Sequence, residues 1–368
     1  MDFTLTEEEQ AIADLAGQVM GDASSHEHLR AIERSDGPRH DTKLWATLAE
    51  TGLLGAFVPE AHGGAGLGLV ALGAALEAAG RTGAAAPLWE TLALGALPVA
   101  EFAPEPLAAD ILSKVASGDM ILSAAWHEDG GECLVPTTVA VREGDGWTLS
   151  GTKICVPAGM VADAVVVPAA IRDGSVGLFL VRTDATGVTR DELITTFGDP
   201  QATITFDDAP AEVVGEGHEC VQWAYQRAVS TQCAFATGIC EGSLALTAEY
   251  TKERKQFDVP IASFQAVAHR AADAYMDTEA IRLTSRQALW RLDAGLDAAN
   301  EVDTAKFWAA WGGQRVVHAG QHLHGGTGVD RDYPLHRFFL QAKQLELQLG
   351  GTSRHLMALG RRLATEAA

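Results

Sequence analysis

Apolar positions change their period twice along the 368-residue chain. Up to about residue 115 they recur at helical spacing. Ile12, Leu15, Ala16 and Val19 share one face, and Thr6 to Glu9 has the form of a capping box, in which a hydroxyl and a carboxylate satisfy the free N–H groups of a helix start. From Asp119 to about Val214 the pattern shortens to β-branched runs divided by glycine and aspartate, at 146–151, 164–168, 176–181 and 202–206, which predicts mostly antiparallel strands. From His218 onward long helical runs return, with Phe264, Val267, Ala268, Ala271 and Tyr275 at i, i+3, i+4 separations. The expected fold is α+β in three domains: helices over 1–115, a β-domain over 116–216 and helices over 217–368. Glycine punctuates it in three places. Residues 51–69 (TGLLGAFVPEAHGGAGLGL) read as a hinge between helices, since a phosphate loop would need a Gly-Lys-Ser/Thr ending. Gly325, Gly326 and Gly328, and then Gly350 and Gly351, mark turns where a missing Cβ admits another backbone or a ligand.

Composition narrows the partners. A hydrophobic content of 47% over this length fits a water-soluble protein of two or three sub-domains. No window reaches the roughly 18 uninterrupted apolar residues of a membrane span, and the acidic start lacks the basic region of a signal peptide. Together these predict a cytoplasmic protein. The net charge of −22 repels phosphate backbones and anionic lipid, so nucleic acid and membrane are excluded as partners, and an anionic small ligand needs a local basic pocket. The five cysteines, 133, 155, 220, 233 and 240, contain no C-x-x-C pair and are expected as small buried hydrophobes. His318 and His322 stand i, i+4 on a predicted helix without an evident third ligand, so no metal is expected. The run 336–339 (HRFF) is expected in helix packing at a dimer face rather than in a nucleotide site.

Four stretches carry a resemblance: GLLGAFVPEAHGGAGLG (52–68), GWTLSGTK (146–153), YTKERKQFDVPIASFQ (250–265) and HLHGGTGVDRDYPLHR (322–337). Their order and spacing resemble the acyl-CoA dehydrogenase family over nearly the whole chain. The resemblance implies an N-terminal helical domain, a central β-barrel-like domain and a C-terminal four-helix bundle. It also implies FAD held between two subunits, each flavin being contacted by both. One set of motifs houses the flavin ring and usually the base; the neighbouring subunit supplies the ADP side. The neighbour's set is present here. Arg254 stands where the family meets the FAD pyrophosphate, a task suited to a planar, permanently charged fork. Gln256, Phe257 and Gln265 follow in register, Gly325 and Gly326 match the turn against the ADP portion, and Thr352 stands in the turn that follows. His322 replaces the family's glutamine, with Gln321 one residue early, and Asp258 replaces a glycine.

The housing set is mostly absent. The Thr-Glu-Pro loop becomes Trp126-His127-Glu128, and the Trp-Ile-Thr turn becomes Cys155-Val156-Pro157, where proline has no N–H to donate. The family removes the α-proton of an acyl-CoA with a carboxylate while hydride leaves the β-carbon. Its commonest base position is Gly350 here, and its alternative on the first long C-terminal helix is Ala228, beside Val229, so no catalytic residue is expected in this chain. Glu241, three to four turns further along, reads as a solvated helix residue. Neighbour's motifs without a base are what half of a heteromer would carry. The resemblance thus narrows to the bacterial α2β2 acyl-CoA dehydrogenases of steroid side-chain degradation, with a homologous subunit carrying the glutamate and an acyl-CoA as substrate. Two other readings stay open: a homo-oligomeric flavin dehydrogenase or oxidase whose base is Glu128 or Asp129, and a flavin-free scaffolding subunit.

Overall fold

The computed structural model describes residues 3–366 apart from positions 145 and 173. Met1 and Asp2, which open the acidic N-terminus, lie outside the described residues. Helices α1 (Glu7–Ala23), α2 (His26–Glu33), α3 (Thr42–Glu50), α4 (Leu69–Thr82), α5 (Leu97–Phe102) and α6 (Glu105–Ser117) come first. Strands β1 (Leu122–Ala124), β2 (Val139–Glu143), β3 (Gly146–Val156), β4 (Ala164–Ile171), β5 (Val176–Arg182), β6 (Val188–Leu193) and β7 (Gln201–Glu216) follow. Helices α7 (His218–Glu253), α8 (Gln265–Asp293), α9 (Ala299–His324), α10 (Leu335–Leu347) and α11 (Thr352–Glu366) complete the chain, with a two-stranded ribbon of β8 (Lys255–Gln256) and β9 (Val259–Pro260) between α7 and α8. Helices, strands, helices is the order that the change of period predicts. No helix among the described residues is long and apolar enough to cross a membrane.

One compact unit comprises residues 27–68 and 85–228. Its sheet closes on itself: β4 pairs β2, β2 pairs β3, β3 pairs β7, β7 pairs β5 and β5 returns to β4, which makes the β-domain barrel-like. Pairing is antiparallel except for β1–β4 and β2–β4. Alternate side chains fill the interior, among them Leu149, Val165, Val167, Phe179, Val181 and Ile204. The four expected strands begin within a residue of their predicted starts and run further; β1, β2 and β6 were not predicted. For β6 the reason is visible. It pairs only β7 and alternates half-buried with exposed positions, so Val188-Thr-Arg-Asp-Glu-Leu carries little hydrophobic signal. The glycine-rich stretch folds onto itself. The N–H groups of Gly64, Ala65, Gly66 and Leu67 donate to Pro59, Gly55, Val58 and Ala56, and a Cβ on Gly64 would lie 2.0 Å from the Val58 carbonyl. These amides are spent internally and leave none to cradle a phosphate.

The other unit gathers residues 1–26, 69–84 and 229–368. The capping box forms as expected: the Thr6 hydroxyl accepts from Glu9 N–H at 3.2 Å and the Glu9 carboxylate accepts from Thr6 N–H at 2.8 Å. Buried charge ties the helices of this unit together. Arg282 on α8 pairs with Glu77 of α4 and Glu241 of α7, and Glu241 also takes Arg81 at 2.9 Å. Glu241 is therefore a half-buried partner of two arginines rather than a solvated residue. Lys306 on α9 donates to Gln232 Oε1 and to the Leu345 carbonyl, each at 2.5 Å, a cation set against the C-terminal carbonyls of α10. The run 336–339 packs within the unit: His336 and Arg337 are buried, Arg337 meeting His26 at 2.8 Å, and Phe339 lies edge-on to His318.

Candidate functional site

The residues expected on the ADP side of a flavin lie at a corner where α7 ends. Arg254 follows the last residue of α7, its N–H bonded to the Tyr250 carbonyl at 2.8 Å and its carbonyl accepting from Ile261 at 2.8 Å. Between them Lys255-Gln256 pairs antiparallel with Val259-Pro260, which forces Phe257 and Asp258 into a two-residue hairpin turn. Both sit in the left-handed region, at φ 53° and 65°, as this turn demands and as side chains other than glycine and asparagine resist. The turn holds Phe257 88% exposed, with only an edge contact to Phe264. Arg254 and Gln256 are exposed, and among the described residues no carboxylate pairs with the Arg254 guanidinium. A charged fork without an internal partner, on an exposed corner of a chain with net charge −22, is open to an external anion.

Gln265 opens α8 and is exposed, its amide reaching His269 at 3.4 Å. The apolar stripe expected on this helix is not buried in its own chain: Ala268 is exposed and Tyr275 is 58% exposed, with Met276 beside it at 60%. Periodicity located the stripe, whose remaining members Phe264, Val267 and Ala271 are half-buried.

The glycine turn ends α9. Gly325 closes the helix at φ 58°, ψ −134°, donating to the His322 carbonyl, and a Cβ on Gly325 or Gly326 would find no atom within 4 Å. His322 is exposed on the same turn. By contrast, a Cβ on Gly328 would meet the Gln321 carbonyl at 2.6 Å, so that glycine serves the fold. The structure places Thr352 apart from this group. One turn beyond Thr352, His355 bonds Asp303 near the start of α9 at 2.5 Å, whereas Gly325 follows the end of α9, about 30 Å of helix away. Arg254, Gln256, Phe257, Gln265, His322, Gly325 and Gly326 thus belong to one end of the helical unit and Thr352 to the other.

Neither base position carries a side chain beyond a methyl group. Ala228 is buried. Gly350 sits at φ 94°, and a Cβ there would approach Arg354 Cδ at 2.8 Å and His355 Nε2 at 3.0 Å. The space is closed by His355, which is buried and bonded to Asp303 Oδ1 at 2.5 Å and to the Leu349 carbonyl at 2.9 Å. The backbone and neighbours of Gly350 are set against any side chain.

In the other unit, the loop expected to house the flavin commits its carboxylate internally. Trp126 is buried, edge-on to Tyr225 at 5.5 Å. Glu128 lies 2.7 Å from Lys153, which is wholly buried, and accepts from the N–H and hydroxyl of both Thr137 and Thr138 at 2.6 to 2.8 Å. Burial alone would raise the Glu128 carboxyl, but the Lys153 charge and the threonine donors outweigh it and hold it down at about 2. The ion pair and four hydrogen bonds commit the Glu128 carboxylate to the fold, and Asp129 is an exposed loop residue. Four cysteines are buried as expected. Cys155 is exposed, in the left-handed region at φ 51°, at a register shift of β3 against β7. No motif or periodicity singles out Glu90, a carboxyl at the start of a π-helical stretch, Glu90–Ala96. Burial raises it to about 8, the charge of Asp199 adding to the effect.

Comparison with known proteins agrees with the fold and the motifs. The model of the acyl-CoA dehydrogenase N-terminal domain matches residues 6–119 and that of the C-terminal domain residues 215–364. The chain is 38% identical to acyl-CoA dehydrogenase FadE27 of Mycobacterium tuberculosis over 99% of both chains. It is 34% identical to FadE28 of the same organism over 98% of this chain and 99% of that one. Among solved structures, a variant of the Tcur3481-Tcur3483 steroid ACAD superposes with TM-score 0.94 at 43% identity, covering 99% of each chain. The ChsE4-ChsE5 complex from M. tuberculosis does so with TM-score 0.94 at 39% identity, again over 99% of each.

Proposed function

We propose that this chain, which belongs to the acyl-CoA dehydrogenase family, is the base-lacking subunit of a heteromeric, FAD-dependent member of it. Its partner is a homologous subunit that carries the catalytic glutamate, in an α2β2 assembly, and the substrate class is an acyl-CoA, a steroid side-chain thioester in particular. The observation that carries this reading is the exposed Arg254 hairpin, free of any described ion pair, in a chain whose base position at Gly350 is closed by its own neighbours. Two of the similar solved structures are each named for two proteins, one as a complex and one as a steroid ACAD, which supports both the heteromer and the substrate class.

The residues present fit FAD at this corner. Arg254 offers a planar donor fork to a pyrophosphate, and Gly325 and Gly326 leave their backbone uncovered for close approach of the ADP half. Phe257 supplies an apolar face at the tip of the hairpin, Gln265 an amide at the start of α8, and His322 a ring on the glycine turn. When bound, the flavin supplies the acceptor for the hydride that leaves the substrate β-carbon. The α-proton goes to the partner's carboxylate, because this chain has no described carboxylate at either family position and Glu128 is locked as an ion pair. The contribution of this chain is to hold and orient the cofactor's diphosphate end, and the uncovered stripe of α8 is the face offered to the partner.

Expression of this chain alone is expected to give colourless, inactive protein. Co-purification with the homologous partner is expected to give one FAD per unlike pair and dehydrogenation of an acyl-CoA. A yellow, active homo-oligomer of this chain would overturn the proposal.

A further inference from the structure

Tyr250 connects the two halves of the corner. It lies on the last turn of α7, and its carbonyl takes the N–H of Arg254 at 2.8 Å. Its hydroxyl donates to the carbonyl of His324 at 3.3 Å, the peptide that leads into Gly325. The Tyr250 ring stacks on the His324 imidazole, centroids 4.2 Å apart and planes 25° from parallel, and meets Tyr333 edge-on at 6.1 Å. The His324 ring is fixed in turn. Its Nδ1–H donates to the Gly320 carbonyl at 2.7 Å, which leaves Nε2 to accept from the Tyr333 hydroxyl at 3.2 Å. With Nδ1 facing a carbonyl and Nε2 facing a hydroxyl, the neutral Nδ1–H tautomer satisfies both partners, and burial favours the same neutral form.

Both segments served by Tyr250 are otherwise loosely held where they matter. The Arg254 side chain is exposed, and Gly325 has the backbone freedom of a glycine in the left-handed half of the map. A diphosphate that bridges a guanidinium and an open glycine backbone needs their separation fixed before it binds; otherwise binding costs the entropy of fixing it. We infer that Tyr250 is a positioning residue that sets the Arg254 guanidinium and the Gly325-Gly326 turn at one spacing, matched to the diphosphate-bearing end of a dinucleotide. This inference rests on the flavin reading above and adds a residue that touches no cofactor itself.

The experiment uses the assembled heteromer and reads FAD dissociation constants by flavin fluorescence after ultrafiltration. Tyr250→Phe keeps the ring and removes the hydroxyl, and is expected to weaken FAD by about 3–10-fold, the range of a single neutral hydrogen bond, with the melting temperature unchanged. In an Arg254→Ala background the same change is expected to cost less than about 2-fold, because a residue that acts by placing Arg254 has nothing left to place. If Arg254→Ala weakens FAD but Tyr250→Phe does not, or if the two losses multiply in full, the positioning role is wrong while the flavin reading stands. If Arg254→Ala leaves FAD affinity unchanged, the flavin reading fails and this inference with it. Should Tyr250→Phe lower the melting temperature, Tyr333→Phe, which frees the opposite edge of the His324 ring, supplies the second test: no loss of FAD in that variant overturns the role.

Discussion

Two regions of this chain treat their polar groups in opposite ways. At the end of α7, polar groups are left unspent: an exposed guanidinium, an exposed amide and two glycines with open space around them. Around β3, charged groups are committed to the fold: Glu128 accepts four hydrogen bonds and faces a buried ammonium, and the loop that would line a flavin packs Trp126 into its own unit. The difference is one of thermodynamic destination. Unspent groups keep their solvation until a ligand replaces the water; spent ones are committed to the fold, and removing either member of a pair harms stability rather than catalysis.

The largest expected effect tests the committed region. Glu128→Gln leaves the Lys153 charge buried without its counter-ion and is expected to cost about 3–5 kcal/mol of stability, measured by denaturant unfolding, while FAD per folded heteromer is unchanged. The sign with pH follows from the depressed carboxyl. Because the folded value of about 2 lies below the ordinary 4.5, Glu128 stabilises the fold fully above pH 4.5, and that contribution is lost as pH falls toward 2. The acid limb of the unfolding curve should therefore flatten in the variant. If Glu128→Gln instead folds normally and abolishes turnover, the two regions have been assigned the wrong way round.

Arg254→Ala comes next, with an expected loss of about 1.5–3 kcal/mol in FAD affinity of the heteromer, the range for a charged hydrogen bond. Little change in melting temperature is expected, since no described residue pairs with it. Gly350→Glu sharpens the comparison from the other side. A side chain at φ 94° is strained by about 1–3 kcal/mol, and its first atom meets Arg354 and His355. The expected product is a less stable chain with no dehydrogenase activity of its own. An active homo-oligomer from this variant would show that the closed region is closed by one glycine alone.

The smallest effect concerns Glu90. Its folded carboxyl is raised to about 8 from 4.5, so it favours the fold fully below pH 4.5, and that preference is lost as pH rises through 8. Glu90→Gln should be flat over the same window, its melting temperature overtaking that of the native chain by about 2–4 °C at pH 8.5. Equal curves would mean that the carboxyl is already hydrated.

Much of this was legible in the sequence, and the rest failed for identifiable reasons. The succession of helical, strand and helical regions followed from periodicity, and the corner residues Arg254 to Phe257 and Gly325-Gly326 were implied by the resemblance of the motifs that hold them. Pairings between distant positions were invisible: Glu128 with Lys153, Arg282 with Glu77 and Glu241, and His355 with Asp303 join segments that no local pattern relates. Thr352, expected among the cofactor-binding residues, lies apart from the corner because α9 carries the chain the length of the unit between them. The stripe through Tyr275 has a core periodicity, yet Phe264, Val267 and Ala271 are half-buried and Ala268 and Tyr275 exposed, because periodicity marks an apolar face without saying how far it is covered.

The Phe257-Asp258 turn also bears on how long an unassembled copy survives. Backbone held in a sparsely populated conformation, with a phenylalanine presented to solvent at its tip, is where native structure opens at least cost and where proteases find their first foothold. Limited proteolysis of the lone chain should cut first between 254 and 261, and the assembled form should resist. Under the proposed heteromer, a cell making the two subunits unequally would then clear the surplus of this one through the same hairpin.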